Sequence, residues 1–416
     1  MSNLDDFFST GFLNEVVDGL IDGHFDVIAD RPRISTGADR IDLNLFQRDQ
    51  EKHLSAIQRK VLEGRYTFTS FLERQIPKAD SKDMRTISVA SIRDAVVQRA
   101  LYEYLYPIVD AKLSDAVFGY RKGRSAHDAI ALIRRHFDAG LGFVFDADLE
   151  KFFDSVDHDV LLGMVADLAI DDRARTLIRR FLKTGRIPSE QVEEDRASKG
   201  KQRKFDPVQR TKGVPQGGVL SGMLANLYLA AFDTAVLSRF PGLVRYADDF
   251  LVCCASSDEC QDVHELVNGQ LAPLRVNLHP TKTKECVSAA SGVDFLGFRI
   301  STRGVRVRGR NIARFKARIR KVLATQKVFP TPERTLRSVC WRLQFKIRGP
   351  DESQLEKLAE RGKPTSLCRR SWIGFFRVVD DLTQIRGLDR WIRSEVSEFM
   401  WRNHRCRVRL EDMQNY

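Results

Sequence analysis

The sequence lacks any long hydrophobic run, and this absence argues against a helical membrane protein. None of its apolar stretches approaches the roughly 18 residues that a membrane-spanning helix needs. The first stretch, MSNLDDFFSTGFLNEVVDGL, is acidic, whereas a signal peptide begins with basic residues. We therefore expect a cytoplasmic protein with no membrane partner.

Cysteine and histidine are also scarce. The chain has seven cysteines, an odd number without any CxxC pair, and its eight histidines are scattered. This usage predicts reduced thiols rather than a disulfide framework, and it offers no zinc site. The adjacent Cys253 and Cys254 are expected to fill the core.

Lysine and arginine are absent from residues 1–30, which hold seven acids, but they are abundant elsewhere. The net charge is +12, and residues 301–349 alone hold fifteen Lys or Arg against one acid, Glu333. Such a block can be a merely solvated surface. Here apolar residues such as Phe315 and Ile319 recur between the charges at helical spacing, which predicts a folded, basic, helical domain. The charge indicates a polyanionic partner, namely nucleic acid.

Between these two ends, strands and helices are mixed, so the expected fold class is α+β. Residues 72–98 are predicted to form two strands around the polar turn ADSKD, and then a helix from Ile92. The stretch FVFDAD ends a strand, and Asp157 is placed to cap the next helix. Another helix should begin near Ser221. Residues 243–254, LVRYADDFLVCC, are predicted to form a hairpin with the two acids at its turn.

Three aspartates are candidates for chemistry: Asp148 at its strand end, and Asp248 and Asp249 at the hairpin turn. Pairing of the two strands would bring them together. Phosphoryl transfer to a 3′-hydroxyl uses two divalent ions, about 4 Å apart, and Mg²⁺ prefers oxygen ligands. The alternative is structural, because an Asp-Asp pair in a turn often has no other role. Asp146 lies on the same strand face as Asp148 and could compete with it.

Further evidence comes from motifs that follow one another along residues 33–405. They are ISTGADRIDLNLF, RQIPKADSKDMRTISVASIRDAVVQRAL, FGYRKGRSAHDAI, FDADLEKFFDSVDHDVL, GVPQGGVLSGMLANLYL, RYADDF, VNLHPTKT, VDFLGF, SWIGFFR and LDRWIRSEVSEFMWRNH. In this order they resemble reverse transcriptases, most closely the bacterial kind found with group II introns and their relatives, including defence-associated enzymes. The resemblance implies a right-hand polymerase with fingers, an antiparallel palm sheet flanked by helices, and a helical, maturase-like thumb.

The resemblance also implies roles for matching positions. Asp148, Asp248 and Asp249 would hold two Mg²⁺ ions (or Mn²⁺), with the backbone of Leu149, and Asp248 would contact the ions most directly. The ring of Phe153 would be a steric gate that favours dNTPs, although it could simply belong to the core. The other positions are Lys78, Arg85, Gln216 and Lys282 for the nucleotide; Leu296 and Gly297 for the primer grip; and Arg314, Arg318 and Lys321 for nucleic acid.

The sequence departs from the family pattern at several points. Gly222 follows Ser221 where the family usually has proline, and the fingers turn between Lys78 and Arg85 has no glycine. We expect no zinc-type endonuclease after the thumb, and the acidic extension, residues 1–32, matches nothing in the family. We expect three further domains: 33–145 for the N-terminal extension motif and fingers, 146–300 for the palm with a fingers insertion, and 301–416 for the thumb.

Three biological interpretations remain open. The first is a bacterial enzyme that makes cDNA from its own structured non-coding RNA in antiphage defence. The second is a compact group II intron maturase and reverse transcriptase. The third, from another class, is a non-catalytic RNA-binding splicing factor on the same fold. Retron and diversity-generating types fit less well, because the thumb is intron-like and PQGG is intact. No oligomeric state follows from the sequence.

Overall fold

The computed structural model describes residues 3–26, 31–77, 84–198, 204–349, 356, 371–409 and 412–413. The chain forms two compact units, Met1–Val287 and Ser288–Tyr416. The boundary between them falls inside the stretch predicted as palm, and the finer division into four domains stays a prediction. No helix in the described part of the chain is long and apolar enough to cross a membrane.

The acidic N-terminus packs into the first unit instead of extending from it. Its two helices begin after the side-chain caps Asn3 and Ser9, and they contact the long helix α5 (Ile92–Asp110). Phe8 and Leu13 are fully buried, so this segment contributes to the core. The elements before α5 are α1 (Leu4–Phe7), α2 (Thr10–Gly23), β1 (Phe25–Asp26), β2 (Arg31–Pro32), α3 (Leu43–Arg48), α4 (Gln50–Leu62), β3 (Phe71–Pro77) and β4 (Met84–Val89).

A three-stranded sheet has the order β4-β3-β6, with β6 at Arg186–Ile187. β3 and β4 are antiparallel, whereas β3 and β6 are parallel. The two predicted strands and the helix from Ile92 are confirmed, and Ser91 caps that helix. The predicted turn ADSKD lies outside the described residues.

A four-stranded sheet, in the order β7-β8-β5-β9, carries the candidate aspartates. Its strands β5 and β8 are antiparallel and largely buried, and Cys253 and Cys254 lie in the core as predicted. The predicted cap Asp157 and the helix from Ser221 are also confirmed. The elements are α6 (Ala126–Asp138), β5 (Phe143–Asp148), α7 (Phe152–Ser155), α8 (His158–Ala166), α9 (Asp172–Leu182), α10 (Ser189–Ala197), α11 (Ser221–Arg239), β7 (Leu243–Tyr246), β8 (Asp249–Cys254), α12 (Ser257–Leu271) and β9 (Lys284–Ser288).

The second unit combines a three-stranded meander with helices that have their own core. The predicted basic helix is confirmed as α13, whose Phe315, Ile319 and Leu323 pack with Val339 and Met400. Arg318, Arg320 and Lys321 of this amphipathic helix are exposed. The elements are β10 (Val293–Phe295), β11 (Phe298–Ser301), β12 (Gly304–Val307), α13 (Gly309–Ala324), α14 (Pro332–Ile347), α15 (Trp372–Phe375) and α16 (Leu382–His404).

Candidate active site

The hairpin β7–β8 places one acid in the turn and the other in a strand. Its last register pair is Tyr246 with Asp249, so Ala247 and Asp248 alone form the turn. Ala247 has a φ of 62°, the left-handed conformation that two-residue hairpin turns require. The hairpin is therefore as predicted, but the expectation that both acids lie in the turn is corrected. Asp249 is the first residue of β8, because the turn is as short as a hairpin allows.

The pairing of β5 with β8 brings the third acid to this turn. Asp148 is the register partner of Asp249, and directly opposed residues have Cβ atoms about 4.5–5.5 Å apart. The N–H of Leu149 donates to the carbonyl of Asp248 at 3.3 Å, which ties the end of β5 to the turn. Acids about one hundred positions apart in the sequence thus meet at one edge of the sheet.

These carboxylates perturb one another. Burial raises the pKa of Asp249 well above its ordinary value, and the charges of Asp146, Asp148 and Asp248 raise it further. Burial and the charge of Asp148 also raise the pKa of Asp248, while nearby cations act in the opposite direction. Like charges withdrawn from water favour protonation or a bound cation. The carboxylates therefore stabilise a cation at this edge of the sheet.

Two lysines already neutralise part of this charge. Lys282 forms an ion pair with Asp148, and the Nζ of Lys284 lies 2.7 Å from Oδ2 of Asp146. The segment before Lys282 is fixed to β5, because the N–H of His279 donates to the carbonyl of Asp148 at 2.7 Å. Asp146, the alternative to Asp148 as a metal ligand, thus forms an ion pair with Lys284. Lys282, which is predicted to lie near the leaving pyrophosphate, therefore contacts Asp148, a candidate metal ligand.

The donor set fits hard divalent cations in its chemistry. Carboxylate oxygens are the ligands that Mg²⁺ prefers, and the ammonium of Lys282 stands in for a cation at Asp148. As the side chains lie, no three His, Cys, Asp or Glu residues of the described ranges converge closely enough to hold one ion. Lys282 would therefore compete with metal ions for Asp148.

A buried ion pair behind the turn was missed by the sequence analysis. The Nε and Nη2 of Arg245 lie 2.7 and 2.6 Å from the carboxylate oxygens of Asp233, and both side chains are 0% exposed. The Nη1 of Arg245 donates to the carbonyl of Ala247 (2.7 Å) and to Oδ1 of Asn226 (3.0 Å). Asn226 donates in turn to the carbonyl of Gly119 at 2.7 Å. The guanidinium thereby fixes the backbone of the β7–β8 turn.

The aromatic ring of Phe153 is buried but lies at the edge of the candidate site. Phe152 is 2% exposed and belongs to the core, whereas Phe153 packs edge-to-face on Tyr120, with ring centroids 6.0 Å apart. Burial raises the pKa of Tyr120, and the charge of Asp248 contributes. A Cβ on Gly222 would come within 2.4 Å of the Tyr120 ring. The glycine that departs from the family pattern therefore makes room for this tyrosine.

The other predicted nucleotide residues are only partly described. Lys78 lies outside the described residues. Arg85 is exposed on β4, opposite Ile76. Gln216 is half-buried, and its carbonyl accepts the N–H of Ser88 at 2.6 Å. This bond joins the PQGG turn to the β3–β4 strands.

The second unit contains the remaining predicted residues. Leu296 (φ 49°) and Gly297 (φ 90°) form the tight turn between β10 and β11, and Asn311 donates to the carbonyl of Gly297 at 3.0 Å. A cavity of about 420 Å³ is lined by Arg314 and Arg318 together with aromatic side chains. Lys321 is exposed further along the same helix, but it is not among the residues that line this cavity. Nucleic-acid contacts by these residues stay a prediction.

Comparison with known proteins gives a family match over more than half of the chain. Residues 76–300 match the family model described as reverse transcriptase (RNA-dependent DNA polymerase). The Escherichia coli protein YkfC is 28% identical over 303 residues, which cover 64% of this chain and 75% of YkfC. The group II intron-encoded protein LtrA of Lactococcus lactis is 30% identical over 187 residues. That alignment covers 45% of this chain but only 28% of LtrA.

The solved structures that match this chain include a telomerase from Candida albicans in complex with a fragment of telomeric RNA. It is 14% identical, with a TM-score of 0.45, over 86% of this chain and 63% of the telomerase chain. A Cas6-RT-Cas1–Cas2 complex is 24% identical, with a TM-score of 0.37, over 65% of this chain and 26% of the matched one.

Proposed function

The chain belongs to the reverse transcriptase family, and we propose that it is an RNA-directed DNA polymerase whose chemistry is carried by Asp148, Asp248 and Asp249. The observation that carries this proposal is the meeting of the three carboxylates where β5 ends and the β7–β8 hairpin turns. The substrates would be dNTPs and a primed RNA template, and the product would be DNA.

The three carboxylates would hold two Mg²⁺ or Mn²⁺ ions, with the carbonyl of Leu149 as a further ligand. Bound ions of this kind activate a primer 3′-hydroxyl and neutralise a triphosphate. The chain itself supplies position: the β5–β8 register sets Asp148 against Asp249, and Arg245 holds the carbonyl of Ala247 behind the turn. Catalysis of this type depends mainly on such preorganisation.

Selection of substrate would fall to the residues around this edge. Phe153, held by Tyr120, would exclude a ribose 2′-hydroxyl. Arg85 lies close enough for its charge to lower the pKa of Asp248, which supports a role in binding the triphosphate. The other proposed contacts are Lys78, Gln216 and Lys282 with the nucleotide, Leu296 and Gly297 with the primer, and Arg314, Arg318 and Lys321 with the nucleic-acid backbone.

For the biological setting, we propose synthesis of cDNA from a cognate structured non-coding RNA in antiphage defence. The family match begins at residue 76, so helices α1–α4 lie outside it, and this additional segment supports a setting other than that of the intron proteins. The alternative, a compact group II intron protein, is supported by the similarity to LtrA. A non-catalytic RNA-binding splicing factor is the alternative of another class. Sequencing the RNA that copurifies with the chain separates the first two, because intron RNA would identify the second.

Primer extension on an RNA template tests the enzymatic proposal. The double variant Asp248→Ala/Asp249→Ala should abolish dNTP incorporation, while the matched double variant Asp18→Ala/Asp22→Ala, at exposed positions on α2, should retain it. Incorporation that survives the first double change would refute the assignment of the site. If phage protection or splicing survives while incorporation is lost, the chain acts as an RNA-binding factor.

A further inference from the structure

The first unit contains a second site, a polar cavity of about 420 Å³ beside the β3–β4 strands. Its volume lies in the range of about 300–1,000 Å³ that is typical of ligand sites. Its walls come from β3, β4, β6 and the segment before the PQGG turn, and almost all the side chains that line it are polar. Such a lining suits a ligand with many hydrogen-bonding groups and not an apolar one.

Arg210, at the wall of this cavity, has two nitrogens without hydrogen-bond partners among the described residues. It is 9% exposed, yet its Nε and Nη2 are buried and have no hydrogen-bond acceptor. A guanidinium cannot lose its charge in a protein, so burying it unsatisfied destabilises the fold. Glu73, which also lines the cavity, accepts instead from Arg186, whose Nη1 lies 2.9 Å from its Oε2. Arg210 can therefore donate hydrogen bonds to an acceptor on a bound ligand.

The charges around the cavity limit the class of ligand. Three cations are balanced by three acids, so the site favours neither a simple anion nor a metal ion; they are Arg186, Arg210 and Lys212, and Glu73, Asp154 and Glu190. Gln75 and Thr86 add groups that both donate and accept. A nucleotide offers phosphate, hydroxyl and base edges together, and unpaired nucleotides are recognised by such side chains.

The cavity lies away from the proposed triphosphate ligand Arg85, although Gln216, a proposed nucleotide contact, is among the residues that line it. Glu73, Gln75, Thr86 and Ser88 share one face of the β3–β4 pair, whereas the proposed triphosphate ligand Arg85 points to the other face. The cavity nonetheless adjoins the active site, since Asp154 follows Phe153 in the chain and the carbonyl of Gln216 accepts the N–H of Ser88. A ligand in this cavity would therefore lie next to the template nucleotide that is being copied at the active site.

We propose that this cavity binds one unpaired nucleotide of a single-stranded RNA, with Arg210 donating to its phosphate or base acceptors. The identification of that RNA as the template rests on the proposed function; the binding itself does not. A nucleotide bound here would add a sequence-tolerant contact to the electrostatic attraction that the basic chain already provides.

Arg210→Met tests the proposal, because it removes the charge and nearly keeps the volume. Without nucleotides, a fluorescent single-stranded RNA 12-mer should bind at least about tenfold more weakly, as expected for a lost charge-assisted hydrogen bond. An RNA–DNA duplex should bind as before. The thermal midpoint should stay the same or rise, since an unsatisfied buried group is removed. The control is Arg59→Met, which removes an exposed arginine of α4.

Two outcomes would overturn the proposal. One is unchanged RNA binding with a lower thermal midpoint, which would make Arg210 a structural residue. The other is unchanged RNA binding with a raised KM for dNTPs, which would assign the cavity to the nucleotide. If Arg210→Met does not fold, the double variant Gln209→Ala/Lys212→Gln, at exposed cavity residues, must weaken single-strand binding more than Arg59→Met does. Absence of polymerase activity in the wild type would defeat the proposed function but not this binding result.

Discussion

Asp148 and Asp249 face each other as the last register pair of β5 and β8, and Asp248 stands in the turn beside them. Because side chains alternate between the two faces of a sheet, a slip of one residue in this register would send one of the two acids to the opposite face. The β5–β8 pairing is therefore as much a part of the site as the acids themselves. It also places the charge of Asp148 where it helps to raise the pKa of Asp249.

Asp248 and Asp249 should differ in their tolerance of substitution. Asp248→Asn should lower kcat for primer extension by at least about a hundredfold, the scale on which a preorganised electrostatic contact acts. Asp249→Asn should cost less, because burial and three neighbouring carboxylates raise the pKa of Asp249 well above its ordinary value and so favour a neutral side chain there. Steady-state kinetics at saturating Mg²⁺ measure both. A larger loss for Asp249→Asn would reverse the assignment of the most direct metal ligand.

Stability in a chelator should fall as pH rises from about 4, the ordinary range of aspartate. The folded-state pKa of Asp249 is raised, so its contribution is complete below the unfolded-state pKa and is lost as pH rises through the folded-state pKa. The thermal midpoint measures this, and Mg²⁺ should flatten the decline. Asp94 and Asp233 also have raised pKa values, so they too make stability fall as pH rises. The difference in thermal midpoint between wild type and Asp249→Asn, measured at each pH, isolates the contribution of Asp249. Two parallel curves of thermal midpoint against pH would contradict the prediction.

Substitutions in the buried ion pair of Arg245 and Asp233 should change stability and catalysis separately. Arg245→Met leaves Asp233 buried without its partner, which should lower the free energy of unfolding by about 3–5 kcal/mol. Adding Asp233→Leu should restore much of that stability. It cannot restore the hydrogen bond to the carbonyl of Ala247, so kcat should stay low. Urea unfolding and primer extension on both variants test this, and recovery of kcat in the double variant would show that the pair is purely structural.

The sequence predicted elements well where the signal was local. The hairpin, the cap Asp157 and the basic helix α13 follow from alternation, capping and helical spacing, and the family match confirms the predicted reverse transcriptase. Pairings between distant residues could not be read in this way. Nothing in the spacing links Arg245 to Asp233, although an aspartate inside the apolar face of α11 was a signal. The unsatisfied Arg210 is visible only once its surroundings are known.

Gly222 should be intolerant even of alanine. A Cβ there would lie within 2.4 Å of the Tyr120 ring, so Gly222→Ala must displace Tyr120 and, with it, the ring of Phe153. We expect a KM for dNTPs raised several-fold and more ribonucleotide incorporation. The matched control is Gly163→Ala in α8, where nothing lies within 4 Å of the added carbon. Alanine should stabilise that helix by up to about 1 kcal/mol. Equal dNTP selectivity in both variants would contradict the proposed link.

Lys282 should compete with metal ions for Asp148. Its ammonium occupies the carboxylate that the ions would need, so Lys282→Gln should increase the affinity for Mn²⁺ in the absence of nucleotide. Calorimetric titration measures this directly. If Lys282 also acts on the leaving pyrophosphate, kcat should fall in the same variant, and the two effects would have opposite signs.

Lys284→Gln serves as the comparison, because its partner Asp146 is buried. It should lower stability by removing the positive charge that faces this buried carboxylate, with less effect on metal affinity. Equal changes in Mn²⁺ affinity for the two lysine variants would show a general loss of positive charge. A specific gain in Lys282→Gln would identify this lysine as the cation that holds the site before metal binds.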